Sequence, residues 1–392
     1  MSWKTRFCEG IHGCCLFSPA CVKELSRGTA CAASNSCPSN EQMHELAGGH
    51  RYARKAHPLP ESADMKLASL RSGSRDGSLI VVNRDLSKAV VVAHIAPTLQ
   101  SALEDWAVKA PLLEAVSAQL ESNAVADTFP LDVTLLASPL PRSFQFLDGS
   151  VYLNHMKKAR ALRKEAMPAH FDTEALMYQG MSDGFCGPTE PFLLPSDTLE
   201  VDYEAEIAVI VDDVPMGTPV AEAARHIKLL MLLNDYTLRS LTRTELPKGF
   251  GFLQAKPTSS FSPVAITPQE LGDGWDGAKV HLRVESRING KLMGSPNAGL
   301  GMYFTYSQLI AHAARTRKLG AGTIIGAGAI SNDDPAAGFG CIAEARVHEQ
   351  EVHSEPSTPF LRFGDIMRIE AIDQHGHSPF GAIENEIRRP LE

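Results

Sequence analysis

Long apolar runs are missing from this 392-residue chain: the longest candidates, 229–233 and 89–93, fall far short of the ~18 residues that a membrane-spanning helix needs. Runs of lysine and arginine are missing as well. With 37 basic against 46 acidic residues and a formal charge of −9, the chain carries no electrostatic footprint for a polyanion, which argues against nucleic acid and an anionic membrane surface as partners. Cysteine is scarce in the body of the chain, because Cys8, Cys14, Cys15, Cys21, Cys31 and Cys37 crowd the start and only Cys186 and Cys341 lie beyond. That body reads as reduced and cytoplasmic. The sequence has no C-x2-C pair, no G-x-S-x-G elbow and no H-E-x-x-H, so common zinc-module, serine-hydrolase and zincin motifs drop out. Gly320, Gly322, Gly326 and Gly328 fit neither G-x-G-x-x-G nor the P-loop.

What remains is an ordinary globular composition, 44% hydrophobic and 21% charged, in a chain long enough for two domains. Residues 1–64 differ in kind, since seven Lys/Arg and six Asp/Glu give them +1 while the other 328 residues carry −10. They are expected to be a poorly ordered, Cys-rich extension; mitochondrial or other organellar targeting is the alternative, which Glu9 and Glu24 weaken. From Met65 the texture changes to β-like runs at 65–70, 79–83 and 89–95, followed by helical spacing over 98–107 and 111–120, with Thr98 as an N-cap and Pro111 in a first turn. A strand-like stretch at 131–136 leads to a boundary within 125–142. Domains are therefore expected at 65–140 and 141–392, after the extension 1–64.

In the second part, 153–166 has a basic helical pattern and 167–195 is a long Pro/Gly-rich segment of the kind that forms functional loops. Alternation over 198–212 predicts a strand. Thr218 and Pro219 predict a helix running to about 233. Asn289-Gly290 between 280–288 and 291–293 predicts a type I′ hairpin. Thr305 and Gln308 form a capping box for a helix over 305–317, and 324–325 and 366–372 read as strands. With no regular βαβ alternation, the fold class is α+β and β-rich.

Glu204 and Glu206 stand two apart on the predicted strand, so their carboxylates share a face and can reach one ion. A solvated strand face explains the pair equally well, and Asp235, just past an apolar stretch, adds a possible third oxygen ligand. An oxygen-only set suits Mg2+, Ca2+ or Mn2+ rather than zinc. Glu344 interrupts the apolar approach Phe339-Gly340-Cys341-Ile342-Ala343 and requires a partner if buried. Lys256, after Phe252-Leu253-Gln254-Ala255, can equally snorkel to the surface, and His155 by itself is one histidine among 14.

Together, Asp202-Tyr203-Glu204-Ala205-Glu206-Ile207-Ala208, Leu233-Asn234-Asp235-Tyr236-Thr237-Leu238-Arg239 and Gly338-Phe339-Gly340-Cys341-Ile342-Ala343-Glu344 resemble the fumarylacetoacetate hydrolase superfamily, over roughly 65–388. The resemblance implies a small N-terminal β-barrel-like domain followed by a mixed β-roll or sandwich, usually a homodimer. It further implies Asp148, Glu204, Glu206 and Asp235 as ligands of one divalent cation, His155 as a general base oriented by Glu344, and Arg239 and Lys256 at the anionic substrate. Tyr178, Thr242, Ser150, Ser259 and Ser260 fall at its substrate contacts. Here Thr242 stands for a glutamine, Ser259-Ser260 for a glycine-threonine pair and Ser150 for a tyrosine. The implied reaction is hydrolysis of a carbon–carbon bond in a 1,3-dioxo acid, fumarylacetoacetate to fumarate and acetoacetate, within tyrosine and phenylalanine catabolism. Related activities on 2-oxo acids (acylpyruvate hydrolysis, oxaloacetate decarboxylation, isomerisation or hydration) are the alternative, and a non-catalytic, metal-stabilised dimer is a third reading.

Overall fold

Residues 64–163 and 165–390 are described from a computed structural model, all within one compact unit that spans Pro58–Glu392. The expectations for the Cys-rich extension and its targeting fall on 1–63, outside the described residues.

Among the described residues two large sheets and one two-stranded ribbon organise the fold, and the chain is β-rich α+β as its patterning implies. The larger sheet has eleven strands and is open. Its outer wing is the meander Lys66–Leu70, Ser78–Val82 and Lys88–Val91, joined to the rest where Lys66 and Leu67 pair with Ile266 and Ala265. The expected β-barrel-like closure of this N-terminal part is therefore absent: its strands extend a shared sheet instead of curling on themselves. The smaller, five-stranded sheet includes the hairpin Arg283–Ile288/Lys291–Gly294. Asn289 (φ 50°) and Gly290 (φ 80°) turn that hairpin, as a type I′ turn requires.

The middle of the large sheet departs furthest from the sequence pattern. Residues 227–234, expected to end a helix, form the strand Ile227–Asn234, which pairs antiparallel with Ala205–Val211; only Val220–Ala223 is α-helical upstream. The physical reason is burial on both faces. Leu230 and Leu232 enter one core while Leu229, Met231 and Leu233 enter the other, so the run is apolar throughout and period 2 disappears. Its neighbour is buried along its whole length for the same reason.

Other differences are local. The stretch 131–136 contains a 3-10 turn, Val133–Leu135, started by Asp132, whose side chain accepts from the Thr134 N–H. Thr98 caps a shorter helix, Leu99–Leu103, and the next helix, Trp106–Glu121, carries Pro111 in its interior on the exposed side. The capping box at Thr305 and Gln308 is present on Tyr306–Ala313. The predicted strand over 198–212 breaks into Val201–Asp202 and Ala205–Val211, with Glu204 held between them by a bridge to Cys341.

Candidate active site

Three strands of the large sheet bring acidic residues to one place, and a fourth leaves room for them. Asp148 lies in Phe146–Gly149, Glu206 in Ala205–Val211, and Asp235 directly after Ile227–Asn234. Gly326, in Ile324–Gly326, pairs with both Asp148 and Ala208 and lies between the first two acids. A Cβ on Gly326 would come within 2.4 Å of Asp148 Oδ1 and 3.1 Å of Glu206 Oε2, so only glycine leaves room for both carboxylates. Glu204 joins from the irregular link, where its N–H donates to Asn234 Oδ1 (3.2 Å) and its carbonyl accepts from the Asp235 N–H (3.0 Å).

All four acids are buried. Oxygens of Asp148, Glu206 and Asp235 come within 4.8 Å of one another. The Gly328 N–H donates to both Asp148 Oδ1 (3.1 Å) and Glu206 Oε2 (3.0 Å), but Glu206 Oε1 is buried without a hydrogen-bond partner. Lys256 Nζ donates to Glu204 Oε2 (2.6 Å) and to Asp235 Oδ2, and Arg239 donates to Glu204 Oε1 (2.7 Å). Asp235 also accepts from Tyr178 and from Ser259 Oγ (2.8 Å).

Charge is out of balance here. Burial, then the neighbouring Asp235, pushes the Asp148 carboxyl up to about 8, and burial with Asp148 and Asp235 beside it raises Glu206 well above the carboxylate range. Burial also opposes ionisation of Glu204, yet Lys256 and Arg239 overcome it and hold that carboxyl at about 2. Were all four carboxylates ionised, two cations would leave two negative charges unmatched, and a buried like-charge cluster is unfavourable without a proton or a cation to compensate it. The unpartnered Glu206 Oε1 and the all-oxygen donor set both fit a hard divalent cation.

A second group faces this cluster. His155 is on the helix Leu153–Arg163 and Glu344 in the first turn of Ile342–His353. Glu344 Oε1 lies 2.7 Å from His155 Nδ1, while its Oε2 accepts from Ser331 Oγ (3.1 Å). The glutamate predicted to need a partner has two. Cys341 makes no side-chain cap for its helix; Asp202 caps it from another strand, accepting from the N–H groups of Ile342 (2.7 Å) and Ala343 (2.9 Å). The same carboxylate takes Arg239 Nε (2.8 Å) and so fixes the guanidinium. Asp202 shows no sign in the sequence beyond its place in the alternation.

A cavity of about 310 Å³ joins the two groups, with Asp148, Ser150, His155, Tyr178, Glu204, Arg239, Thr242 and Lys256 among its walls. Ser259 reaches the cluster through Asp235. Ser260 does not reach it: its hydroxyl is buried and donates to the Gly187 carbonyl (3.1 Å). Lys256 does not snorkel outward. It is aimed inward because Glu245 gathers the N–H groups of Leu253, Gln254 and Ala255 at 2.8–3.0 Å and fixes the approach of the chain. No sequence signal marks Glu245.

A buried oxygen-donor cluster facing an oriented histidine is the layout of a cation-dependent enzyme. The chain belongs to the fumarylacetoacetate hydrolase family: the family's C-terminal model matches 146–388, and a fumarylacetoacetase N-terminal domain model matches 65–142. Members of this superfamily are enzymes. Among curated relatives, the 2,4-didehydro-3-deoxy-L-rhamnonate hydrolase of a Sphingomonas species is 26% identical over 200 residues, which is 50% of this chain and 61% of that protein. A mitochondrial oxaloacetate tautomerase of Xenopus laevis is 25% identical over 217 residues, 55% of this chain and 58% of that protein. The match thus spans roughly three-fifths of each relative's length. The crystal structure of maleylpyruvate hydrolase from Sphingobium sp. SYK-6, in complex with manganese(II) ion and pyruvate, shares the fold; its TM-score is 0.55, at 18% identity, covering 83% of this chain and all of that one.

Proposed function

We propose that this chain is a divalent-cation-dependent hydrolase that cleaves a carbon–carbon bond of a 1,3-dioxo acid, with fumarylacetoacetate, giving fumarate and acetoacetate, as its substrate. The observation that carries this reading is the 2.7 Å contact of His155 Nδ1 with Glu344, in a cavity whose other wall is the carboxylate cluster. Hydrolysis needs a base that takes a proton from water, and an oriented histidine beside the carboxylate cluster supplies one.

With Nδ1–H donated to Glu344, Nε2 is the basic nitrogen. It takes a proton from water as the oxygen adds to the acyl carbonyl carbon; the bond to the neighbouring carbon then breaks, and that carbon takes its electron pair and a proton. One acid and one methyl ketone acid result, with one water consumed. Glu344 holds the ring and stabilises its cationic form. Arg239 and Lys256, fixed by Asp202 and by the Glu245-bound loop, supply positive charge where the substrate is anionic and where negative charge develops. Asp148, Glu204, Glu206 and Asp235 would hold a divalent cation of the Mg2+, Ca2+ or Mn2+ type, which would supply Lewis-acid polarisation to the substrate.

The test is a substrate panel with the full chain and added Mg2+, in which products are identified by mass. The reading expects stoichiometric fumarate and acetoacetate, and a fall in kcat of about 10²- to 10⁴-fold in His155→Ala. Turnover of acylpyruvates or oxaloacetate with fumarylacetoacetate untouched would assign the site to the related 2-oxo acid chemistry, and turnover of none would leave a metal-stabilised scaffold.

A further inference from the structure

Two chambers meet at His155. One is the carboxylate cavity; the other, about 610 Å³ and called the outer chamber below, has none of the four clustered carboxylates in its walls, and both have His155, Arg239, Thr242 and Leu246 in their walls. A general base acts on what lies beside it, so a substrate attacked by water at His155 has its scissile bond near this junction, with both chambers open to its fragments. What the outer chamber accepts is then set by its charges.

Most of these charges are committed. Glu344 is on His155, Arg239 on Asp202 and Glu204, and Arg243 on Glu200 (2.7 Å). Glu165 pairs with Arg160 (3.3 Å), and Arg346 donates to the Thr358 carbonyl and lies 4.8 Å from the centre of the Phe360 ring. Lys158 stands apart. It follows His155 by three residues on one helix, which sets the two on the same face. It is half-buried in the outer wall, and its ammonium sits 5.1 Å from the centre of the Phe339 ring. Among the described residues it has no hydrogen bond or ion pair. A ring face orients an ammonium but satisfies none of its three donors. An oriented, unpaired cation beside the reacting centre is a site for an anion.

We propose that Lys158 is a specificity-determining residue that binds a terminal carboxylate on the acyl fragment of the substrate, so that the enzyme selects dioxo dicarboxylates over dioxo monocarboxylates. This inference rests on the hydrolase reading of the same site. It gives the outer chamber its role: the fragment released as the free acid lies there, with its far end on Lys158.

The experiment compares kcat/KM for fumarylacetoacetate and for the analogue with a methyl group in place of the fumaryl-end carboxylate, in the wild type, Lys158→Met and Lys158→Arg. Loss of one charge-assisted contact predicts a fall of about 10- to 100-fold for the dicarboxylate in Lys158→Met, mainly through KM, with the analogue changed by less than about threefold and the dicarboxylate recovered in Lys158→Arg. Equal losses on both substrates, or none on the dicarboxylate, would overturn the assignment. If the wild type turns over neither, the hydrolase reading fails, and calorimetry with fumarate and crotonate decides the Lys158 site alone. There the wild type should favour fumarate by about tenfold or more and Lys158→Met should erase the preference; equal affinities in the wild type would overturn the proposal.

Discussion

Two antiparallel strand pairs, one in the eleven-stranded and one in the five-stranded sheet, carry their acids in opposite ways. Ile366–Ile372 and Ala382–Arg388 alternate between buried and open positions, and their acids sit on the open side, Glu370 and Glu384 on Arg368 at 2.8 and 3.0 Å and Glu386 on Arg388. Ala205–Val211 and Ile227–Asn234 are buried on nearly every position, and Glu206 is fully enclosed with one oxygen unpartnered. The first pair places charge where water screens it, so it adds little to stability. The second places charge where it costs most. A fold retains such a cluster when something that binds there compensates it.

The sharpest way to break this contrast is to remove one acid from each pair. Glu206→Ala should lower turnover by at least about 10³-fold through loss of the cation site, while Glu384→Ala should leave kcat and KM unchanged; steady-state kinetics on both variants checks it. Core truncation separates the pairs less. Leu232→Ala, in the doubly buried strand, should cost about 2–5 kcal/mol in denaturant unfolding, against less than ~1 kcal/mol for Arg368→Ala on the open face.

Proton linkage sharpens the comparison further. Asp148 at about 8 and Glu206, also raised, favour the folded cation-free protein below their ordinary values near 4, and that contribution is lost as pH rises through their folded values. Glu204, held at about 2 against an ordinary 4.5, acts oppositely: its contribution is present above 4.5 and is lost as pH falls toward 2. The melting temperature of chelator-treated protein should therefore fall between pH 5 and pH 8, and saturating Mg2+ should remove that slope.

The two pairs also differ in how far the sequence discloses them. Strand 366–372 is legible because one wet face preserves period 2. Strand 227–234 is not, since two dry faces leave a continuous apolar run that helix spacing fits as well. At the site, Glu204, Glu206 and Asp235 are legible from spacing as possible ligands, whereas Asp148 and the pairing of His155 with Glu344, 189 residues apart, emerge only from resemblance and then from geometry. Asp202 and Glu245 act by gathering backbone N–H groups from distant segments, and nothing local in a sequence marks such a role. Gly326 is visible as a glycine, but its reason, the space two carboxylates need, is a property of three strands side by side.

The most direct measurement is a calorimetric titration of Mg2+, Ca2+ and Mn2+ into the chelator-treated full chain and into Glu206→Gln. The account predicts one divalent ion bound per wild-type chain and an affinity at least about 100-fold lower in the variant. No ion bound by the wild type, or equal binding by both proteins, would contradict it.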